Sequence, residues 1–284
     1  MRWVNHNGKL LQADVSLFEN TNRSFRYGDG LFESMIAFPD TIPFYTLHSE
    51  RLQRGMLVLS MQCASPYSLK TIEHLILDLL KHQASAPVFS VRLTMFRKGN
   101  GKYQPQSHHA EFLIEAEPLK QKLFALNKEG LRICIFSGQR KAPGLLSPFK
   151  TTSALVYVLA ALYARKRKAD DSIIVNTSGN ICEASSSNIF LLSKNHLLTP
   201  PISEGCVDGI MRRIVIRLAQ DNGIAVKEKK ITPQMLKQAD EVFLTNALSG
   251  IRWVKHFENY SYGHELATRL SALLQTQVLR TSSW

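Results

Sequence analysis

The chain has 284 residues, a formal net charge of +12, 44% hydrophobic residues and 20% charged residues, which is typical of a globular protein of about two domains. No apolar stretch reaches the ~20 residues that cross a bilayer, and the first fifteen residues lack the apolar core of a signal peptide, so neither a membrane nor export is expected. The basic residues are spread along the chain and the four cysteines form no CxxC pair, so no nucleic-acid partner and no metal site are expected, and a cytoplasmic protein fits best.

The first part of the chain is predicted to form a smaller α/β domain over residues 1–117. A β-hairpin is predicted to turn at Asn7-Gly8, because this dipeptide accepts the left-handed conformations of a two-residue turn. A second hairpin is predicted from Leu31–Phe38 to Ile42–Tyr45 through Pro39-Asp40. The remaining elements are two helices followed by two strands: Thr46–Met61, Ser68–His82, Val88–Met95 and Glu111–Glu115.

Residues 118–130 are rich in lysine and weakly periodic, so they are predicted to be a linker to a larger domain over residues 131–284. In that domain the pattern predicts strands at 131–136, 172–176, 188–192, 197–199 and 241–245. It predicts helices at 152–168, 208–222, 233–238 and 263–279. Because strands and helices do not alternate strictly, the fold class is expected to be α+β rather than a doubly wound sheet.

Several segments contain residue types that suit chemistry. Arg51, at a helix start, can grip a phosphate through its fork of donors. Lys150, between an apolar residue and a new helix, becomes a nucleophile when its amine is neutral. Glu183 can pair with a ring nitrogen, and the amides after Asp208-Gly209 can cradle a phosphate at a helix start. Taken singly, each is more simply a surface charge, a turn or a helix cap.

The order and spacing of these segments resemble the class IV aminotransferases, which are fold type IV pyridoxal-phosphate enzymes. The resemblance runs from Asn5 to about Val254. It is carried by the segments Phe25–Glu33, Leu47–Leu52, Ser147–Thr152, Gly179–Phe190, Leu198–Arg213 and Asp240–Ile251. It implies a two-domain α+β fold like that of D-amino-acid aminotransferases, pyridoxal 5′-phosphate as cofactor between the domains, and a homodimer.

The resemblance also implies a role for individual residues. Lys150 matches the lysine that carries the cofactor and moves protons. Glu183 matches the carboxylate that pairs with the ring nitrogen and keeps the ring cationic, and Arg51 matches the arginine that binds the phosphate. The remaining cofactor contacts are helix-start amides, a phosphate-contacting turn and a run of small residues beside the ring: Gly209 and Ile210, Asn246 and Ala247, and Ser186, Ser187 and Asn188. Met211 stands where many relatives have threonine, so one side-chain phosphate contact is missing.

Two reactions on a small-molecule substrate remain open, because both begin when Lys150 removes a proton. The segments Asp208–Arg212 and Thr245–Ile251 look more like 4-amino-4-deoxychorismate lyases, which release pyruvate and 4-aminobenzoate, than like branched-chain aminotransferases. The lyase is therefore favoured, and the alternative is a transaminase acting on branched-chain or D-amino acids. The residues expected on the substrate side are Phe32 and three members of a basic loop suited to substrate carboxylates: Arg97, Lys102 and Tyr103.

Overall fold

The computed structural model describes residues 2–63, 65–119 and 123–280. These residues divide into two compact units. Residues 2–119 and 149–153 form the first unit, and residues 123–148 and 154–280 form the second. The division falls within the predicted linker 118–130, of which Lys120–Lys122 lie outside the described residues. Residues 149–153, which include Lys150, belong to the first unit although they are predicted with the second domain.

The first unit is a largely antiparallel sheet with its two longer helices packed on one face. Its strands are β1 (Trp3–His6), β2 (Lys9–Gln12), β3 (Gly30–Ala37), β4 (Gln62–Cys63), β5 (Phe89–Arg97) and β6 (His109–Pro118). Its helices are α1 (Arg23–Tyr27), α2 (Tyr45–Val58) and α3 (Leu69–Lys81). Within the described residues the strand order is β2-β1-β6-β5-β3, with β4 beside β6. Strand β3 therefore lies at an edge, and its inward side chains pack against α2 and α3.

Most predicted elements of the first unit are confirmed, and one is wrong. The first hairpin turns at Asn7 and Gly8, both with positive φ (51° and 80°). Ser68 caps α3 by accepting a hydrogen bond from the Thr71 amide (3.1 Å). The second hairpin is wrong, because Ile42–Tyr45 is not a strand: α2 begins at Tyr45, and β3 pairs with β5. Short apolar runs do not distinguish a strand from the start of a buried helix.

The second unit is a larger mixed sheet flanked by helices. Its strands are β7 (Leu131–Ile135), β8 (Asp171–Val175), β9 (Ile181–Ala184), β10 (Asn188–Ser193), β11 (His196–Thr199), β12 (Ala225–Glu228), β13 (Glu241–Asn246), β14 (Gly250–Phe257) and β15 (Tyr260–Ser261). Its helices are α4 (Leu155–Lys166), α5 (Ile210–Asp221), α6 (Pro233–Lys237) and α7 (Glu265–Arg280), with a 3₁₀ turn at Ile202–Glu204. Across the described part of the chain the order is β12-β11-β10-β13-β14-β7-β8-β9, with β15 beside β14.

The second unit confirms the α+β class and shows where the sequence pattern is incomplete. Strands β9, β12, β14 and β15 are absent from the prediction, because they are short or lie where the pattern is mixed. Helix α4 begins at Leu155 rather than at residue 152. None of the helices in residues 2–63, 65–119 and 123–280 is long and apolar enough to cross a membrane.

Candidate active site

Lys150 lies in a short segment that runs beside strand β3. The Phe32 amide donates to the Lys150 carbonyl (2.8 Å), and the Thr152 amide donates to the Gly30 carbonyl (3.0 Å). These backbone bonds fix residues 149–153 to the edge of the sheet. The main chain that carries the Lys150 side chain is therefore held rigidly. A base or nucleophile needs such support if the position of its reactive atom is to be defined.

The ring of Phe32 contacts two cationic side chains. The Nζ atom of Lys150 lies 4.5 Å from the ring centroid, and the guanidinium carbon of Arg92 lies 3.8 Å from it. Phe32 is opposite Thr94 in the β3–β5 register, and Arg92 is two residues from Thr94, so both side chains project from the same face. One aromatic ring therefore brings together an amine and a guanidinium, and such a pair attracts a carboxylate.

Glu33 projects from the opposite face of β3 into a buried cluster with His48 and Arg51 of α2. Arg51 Nε donates to Glu33 Oε1 (2.8 Å), Arg51 Nη2 donates to Oε2 (2.5 Å), and His48 Nδ1 lies 2.7 Å from Oε2. Burial raises the pKa of Glu33, but Arg51 and His48 outweigh it and hold the pKa at about 2. Burial lowers the pKa of His48, against the opposing effect of Glu33. The cluster fixes Arg51, whose contact with a phosphate stays a prediction.

The start of the basic loop after β5 is held by a buried ion cluster. Asp29 Oδ2 accepts from Arg23 Nε (2.8 Å) and from Arg97 Nε (2.9 Å). The other nitrogens of the Arg97 guanidinium donate to the backbone carbonyls of Leu59, Ser60 and Ser107. Arg97 is only 5% exposed, and its contacts anchor the loop. They do not support the prediction that Arg97 receives a substrate carboxylate.

The tip of the same loop is exposed. Arg23 Nη1 donates to the Lys102 carbonyl (2.7 Å), and the Lys102 side chain faces solvent. Tyr103 is 89% exposed, and its ring centroid lies 5.8 Å from that of Tyr27. The predicted substrate role of Lys102 and Tyr103 is compatible with this exposure and stays a prediction.

In the second unit, Glu183 of β9 is buried, and both of its oxygens accept hydrogen bonds. Oε1 accepts from Lys141 Nζ (2.6 Å) and from the Tyr157 hydroxyl (2.9 Å). Oε2 accepts from the Val207 amide (2.9 Å). Burial and the neighbouring Glu183 raise the pKa of Tyr157 far above its usual value, so the phenol remains a donor. The carboxylate is thus a fixed acceptor, which suits the predicted pairing with a ring nitrogen.

The start of α5 fits a phosphate group. Gly209 is the N-cap residue, and it offers no side-chain cap, so the first amides and the helix dipole favour an anion. A Cβ atom on Gly209 would lie 1.9 Å from Asn188 Oδ1, so glycine is required for this side chain to approach. The Gly209 amide donates to the Val207 carbonyl (2.9 Å), and Ile210 is the first helical residue. Three predicted cofactor residues, Gly209, Ile210 and Asn188, therefore lie together.

The other predicted cofactor residues of this unit meet at the turn after β13. The Asn246 side chain accepts a hydrogen bond from the Ser249 amide (2.8 Å), which closes the turn that contains Ala247. Its Nδ2 donates to Ser187 Oγ (3.1 Å) and to the Ser186 carbonyl (3.4 Å). These bonds hold the turn against Ser186 and Ser187, the small residues that precede Asn188.

The residues of these clusters that the sequence analysis did not assign to the site include Glu33, His48, Arg92, Lys141 and Tyr157. His48 had a signal, because residues three apart share a helix face and Arg51 follows it. Arg92 also had a signal in the sequence, because residues two apart on a strand project from the same face, and Arg92 is two residues from Thr94. Lys141 had none, since its approach to Glu183 depends on an isolated bridge between Lys141 and Asn176 that no local pattern indicates.

A family model described as amino-transferase class IV matches residues 30–257. A probable branched-chain-amino-acid aminotransferase of Synechocystis is 26% identical and covers 97% of this chain and 93% of that protein. An aminodeoxychorismate lyase of Bacillus subtilis is 25% identical and covers 94% of this chain and 90% of that protein. A branched-chain aminotransferase structure from Thermoproteus uzoniensis superposes with a TM-score of 0.89 at 24% identity, covering 99% and 96% of the two chains.

Replacing Glu33 with glutamine should leave Arg51 buried without its counter-charge and lower the free energy of unfolding at pH 7 by about 3–5 kcal/mol. The pKa of Glu33 is about 2 in the fold against an ordinary value of 4.5. The wild-type carboxylate therefore stabilises the fold above pH 4.5, and this stabilisation is lost as the pH falls toward 2. Urea unfolding over this pH range should show the loss in the wild type and not in Glu33→Gln.

The matched control is Asp78→Asn, which removes a carboxylate from an exposed pair with Lys81 (3.3 Å). It should change the free energy of unfolding by about 1 kcal/mol at most. If the free energy of unfolding changed with pH in the same way in the wild type and in Glu33→Gln, the buried cluster would not control stability in acid.

Proposed function

We propose a reaction for this chain on the premise that it belongs to the amino-transferase class IV family, whose enzymes depend on pyridoxal 5′-phosphate. The proposed activity is that of a 4-amino-4-deoxychorismate lyase, which releases pyruvate and 4-aminobenzoate. In this reaction a proton leaves the carbon that bears the amino group. The bond between the neighbouring ring carbon and the enolpyruvyl oxygen then breaks. Enolpyruvate leaves and takes up a proton to become pyruvate, and the ring becomes aromatic, so no amino acceptor is consumed.

Pyridoxal phosphate, when bound, supplies a sink for the electrons that remain on the substrate carbon after its proton is removed. Lys150 Nζ is the proposed base, held by its backbone bonds to β3 and by its contact with the Phe32 ring. Glu183, fixed by Lys141, Tyr157 and the Val207 amide, is the proposed acceptor for the ring N–H. Arg51 and the first amides of α5 are proposed to bind the phosphate.

The observation that supports the lyase is the Asn246 turn. Thr-Asn-Ala at this place resembles the lyases, whereas branched-chain aminotransferases usually carry Gly-Thr-Ala. The Asn246 amide group accepts from two backbone amides and donates to Ser186 and Ser187. A threonine hydroxyl has one donor and cannot make this set of bonds. Asn246, the residue that resembles the lyases, therefore holds the turn together through its side chain.

A transaminase is the second candidate. It is favoured by relatives that are named branched-chain-amino-acid aminotransferases. Arg92 stacks on the same ring as Lys150, which suits the carboxylate of an amino acid held beside the base. Its cross-strand neighbour Glu115 balances part of its charge before a substrate binds. Arg92 is proposed as the carboxylate receptor in either reaction.

A homodimer is proposed through helix α4, which presents an apolar stripe to solvent. Four residues at helical spacing are between 47% and 74% exposed: Leu155, Val158, Leu159 and Leu162. An adjoining apolar groove is lined by Phe136, Gly138, Leu159, Leu162, Tyr163 and Lys166. Monomeric proteins rarely expose such a contiguous surface. A second copy of the chain is the proposed partner, since a self-complementary stripe packs about a two-fold axis.

A cytoplasmic location is proposed from the cysteines. None of Cys63, Cys134, Cys182 and Cys206 is disulfide-bonded. Burial raises the pKa of Cys182 and of Cys206 to about 12, so both thiols stay protonated and unreactive. Reduced, buried thiols are typical of proteins that remain in a reducing compartment.

The lyase is tested with purified, cofactor-loaded protein supplied with 4-amino-4-deoxychorismate and no 2-oxo acid. Pyruvate and 4-aminobenzoate should appear in equal amounts, because the two fragments leave the same substrate. Lys150→Ala should slow the release by at least about 10³-fold, since it removes the proposed base. Arg92→Met should raise KM while retaining turnover.

If loaded protein releases neither product, the lyase is excluded. Transfer of an amino group from a branched-chain or D-amino acid to 2-oxoglutarate would then establish the transaminase. Transfer that survives Lys150→Ala would contradict both assignments.

The dimer is tested by sedimentation equilibrium of Leu162→Glu. A buried, unpaired carboxylate costs about 3 kcal/mol or more, so the dimer dissociation constant should rise by about 100-fold or more. The matched control is Leu57→Glu, which changes a 70% exposed leucine on α2 and should leave the constant unchanged. A Leu162→Glu protein that associates as tightly as the wild type would exclude this face as the interface.

A further inference from the structure

Thr245, at the end of β13, has a buried side-chain hydroxyl that lacks a partner. The residue is 1% exposed, and within residues 2–63, 65–119 and 123–280 its Oγ1 atom has no hydrogen-bond partner. Buried hydroxyl groups are nearly always paired, because leaving one unpaired destabilises the fold. An orphaned hydroxyl in a native fold therefore indicates a group that pairs with it in the working state.

The strand register shows which way this hydroxyl faces. Thr245 is directly opposite Asn188 in the antiparallel pair of β13 and β10. Directly opposite residues project from the same face, with Cβ atoms about 4.5–5.5 Å apart. The Asn188 side chain reaches the residues that precede α5, because its Nδ2 donates to the Val207 carbonyl (2.8 Å) and its Oδ1 abuts Gly209. Thr245 therefore faces the start of α5.

The start of α5 is a place where an anion is favoured. The helix is 12 residues long, and its N-cap, Gly209, supplies no side-chain acceptor. The nearby carboxylate of Asp208 is paired with Arg213, whose Nε donates to Asp208 Oδ1 (2.8 Å). The Asp208 carboxylate is therefore neutralised by Arg213 and does not neutralise the positive end of the helix dipole. Met211, in the first turn, has a buried apolar side chain and offers no hydroxyl to a ligand.

We propose that the Thr245 hydroxyl donates a hydrogen bond to a phosphate monoester held at the start of α5. It supplies from the neighbouring strand the side-chain donor that Met211 does not provide. The inference rests on the proposed function only in taking this phosphate to be that of pyridoxal phosphate. The hydroxyl is shielded from bulk water, so an anion that accepts a hydrogen bond from it has little competition from water.

The proposal predicts opposite effects of one substitution on the free and the liganded protein. Thr245→Val keeps the shape of the side chain and removes the hydroxyl. Without a ligand the variant should unfold at the same temperature as the wild type or at a higher one, because an unpaired polar group has been removed from the interior. With a phosphate ligand it should be stabilised less. A hydroxyl with a merely structural role would instead lower the unfolding temperature of the free protein.

The experiment measures thermal unfolding and ligand affinity for the wild type, Thr245→Val and the hydroxyl-retaining control Thr245→Ser. Three probes are used: inorganic phosphate, pyridoxal phosphate and pyridoxal, which lacks the phosphate. In Thr245→Val, affinity for the first two should fall about tenfold, as expected for a lost hydrogen bond to a charged acceptor. Affinity for pyridoxal should not change, and Thr245→Ser should keep most of the phosphate affinity.

Equal phosphate affinity in the wild type and Thr245→Val would overturn the proposal, as would an equal loss for pyridoxal and pyridoxal phosphate. A wild type that binds inorganic phosphate but not pyridoxal phosphate would overturn the proposed function and leave Thr245 to be judged on the phosphate arm. A wild type that binds neither would overturn both.

Discussion

The backbone pairing between residues 149–153 and β3 is the constraint on which the proposed chemistry depends. It fixes the main chain of Lys150 at a sheet edge and brings its amine to the Phe32 ring. A segment bonded in this way cannot also be helical, so α4 begins at Leu155, three residues later than its apolar pattern predicts. Local helical preference therefore yields to a backbone position in the proposed site, which is where such conflicts are expected.

Two buried carboxylates each organise a cluster of side chains, one within each unit. Glu33 binds Arg51 and His48, and Glu183 binds Lys141 and Tyr157. A charge removed from water needs both an opposite charge and enough hydrogen-bond donors, and each cluster provides them. Their partners are consequently held in one geometry before any ligand binds. Such prearranged groups favour a reaction because little reorganisation is left to the reacting state.

The sequence predicts the α+β class, the long helices and the segments that contain the proposed site residues, because these depend on periodicity and on motif order. It does not predict the contacts that long-range pairing determines. Arg97 is buried with Asp29, a contact between distant parts of the chain, whereas Arg92 takes the position beside Phe32. Lys141 reaches Glu183 from a loop without periodicity. The orphaned hydroxyl of Thr245 is visible only when its neighbours in space are known.

Lys150 is proposed to carry the cofactor. Protein loaded with pyridoxal phosphate can be treated with sodium borohydride, which makes the bond between the lysine and the cofactor irreversible, and then digested for peptide mass spectrometry. About one cofactor per chain is expected, attached to the peptide that contains Lys150. Attachment at Lys141, the partly buried lysine beside Glu183, or at several surface lysines in similar amounts would contradict this assignment.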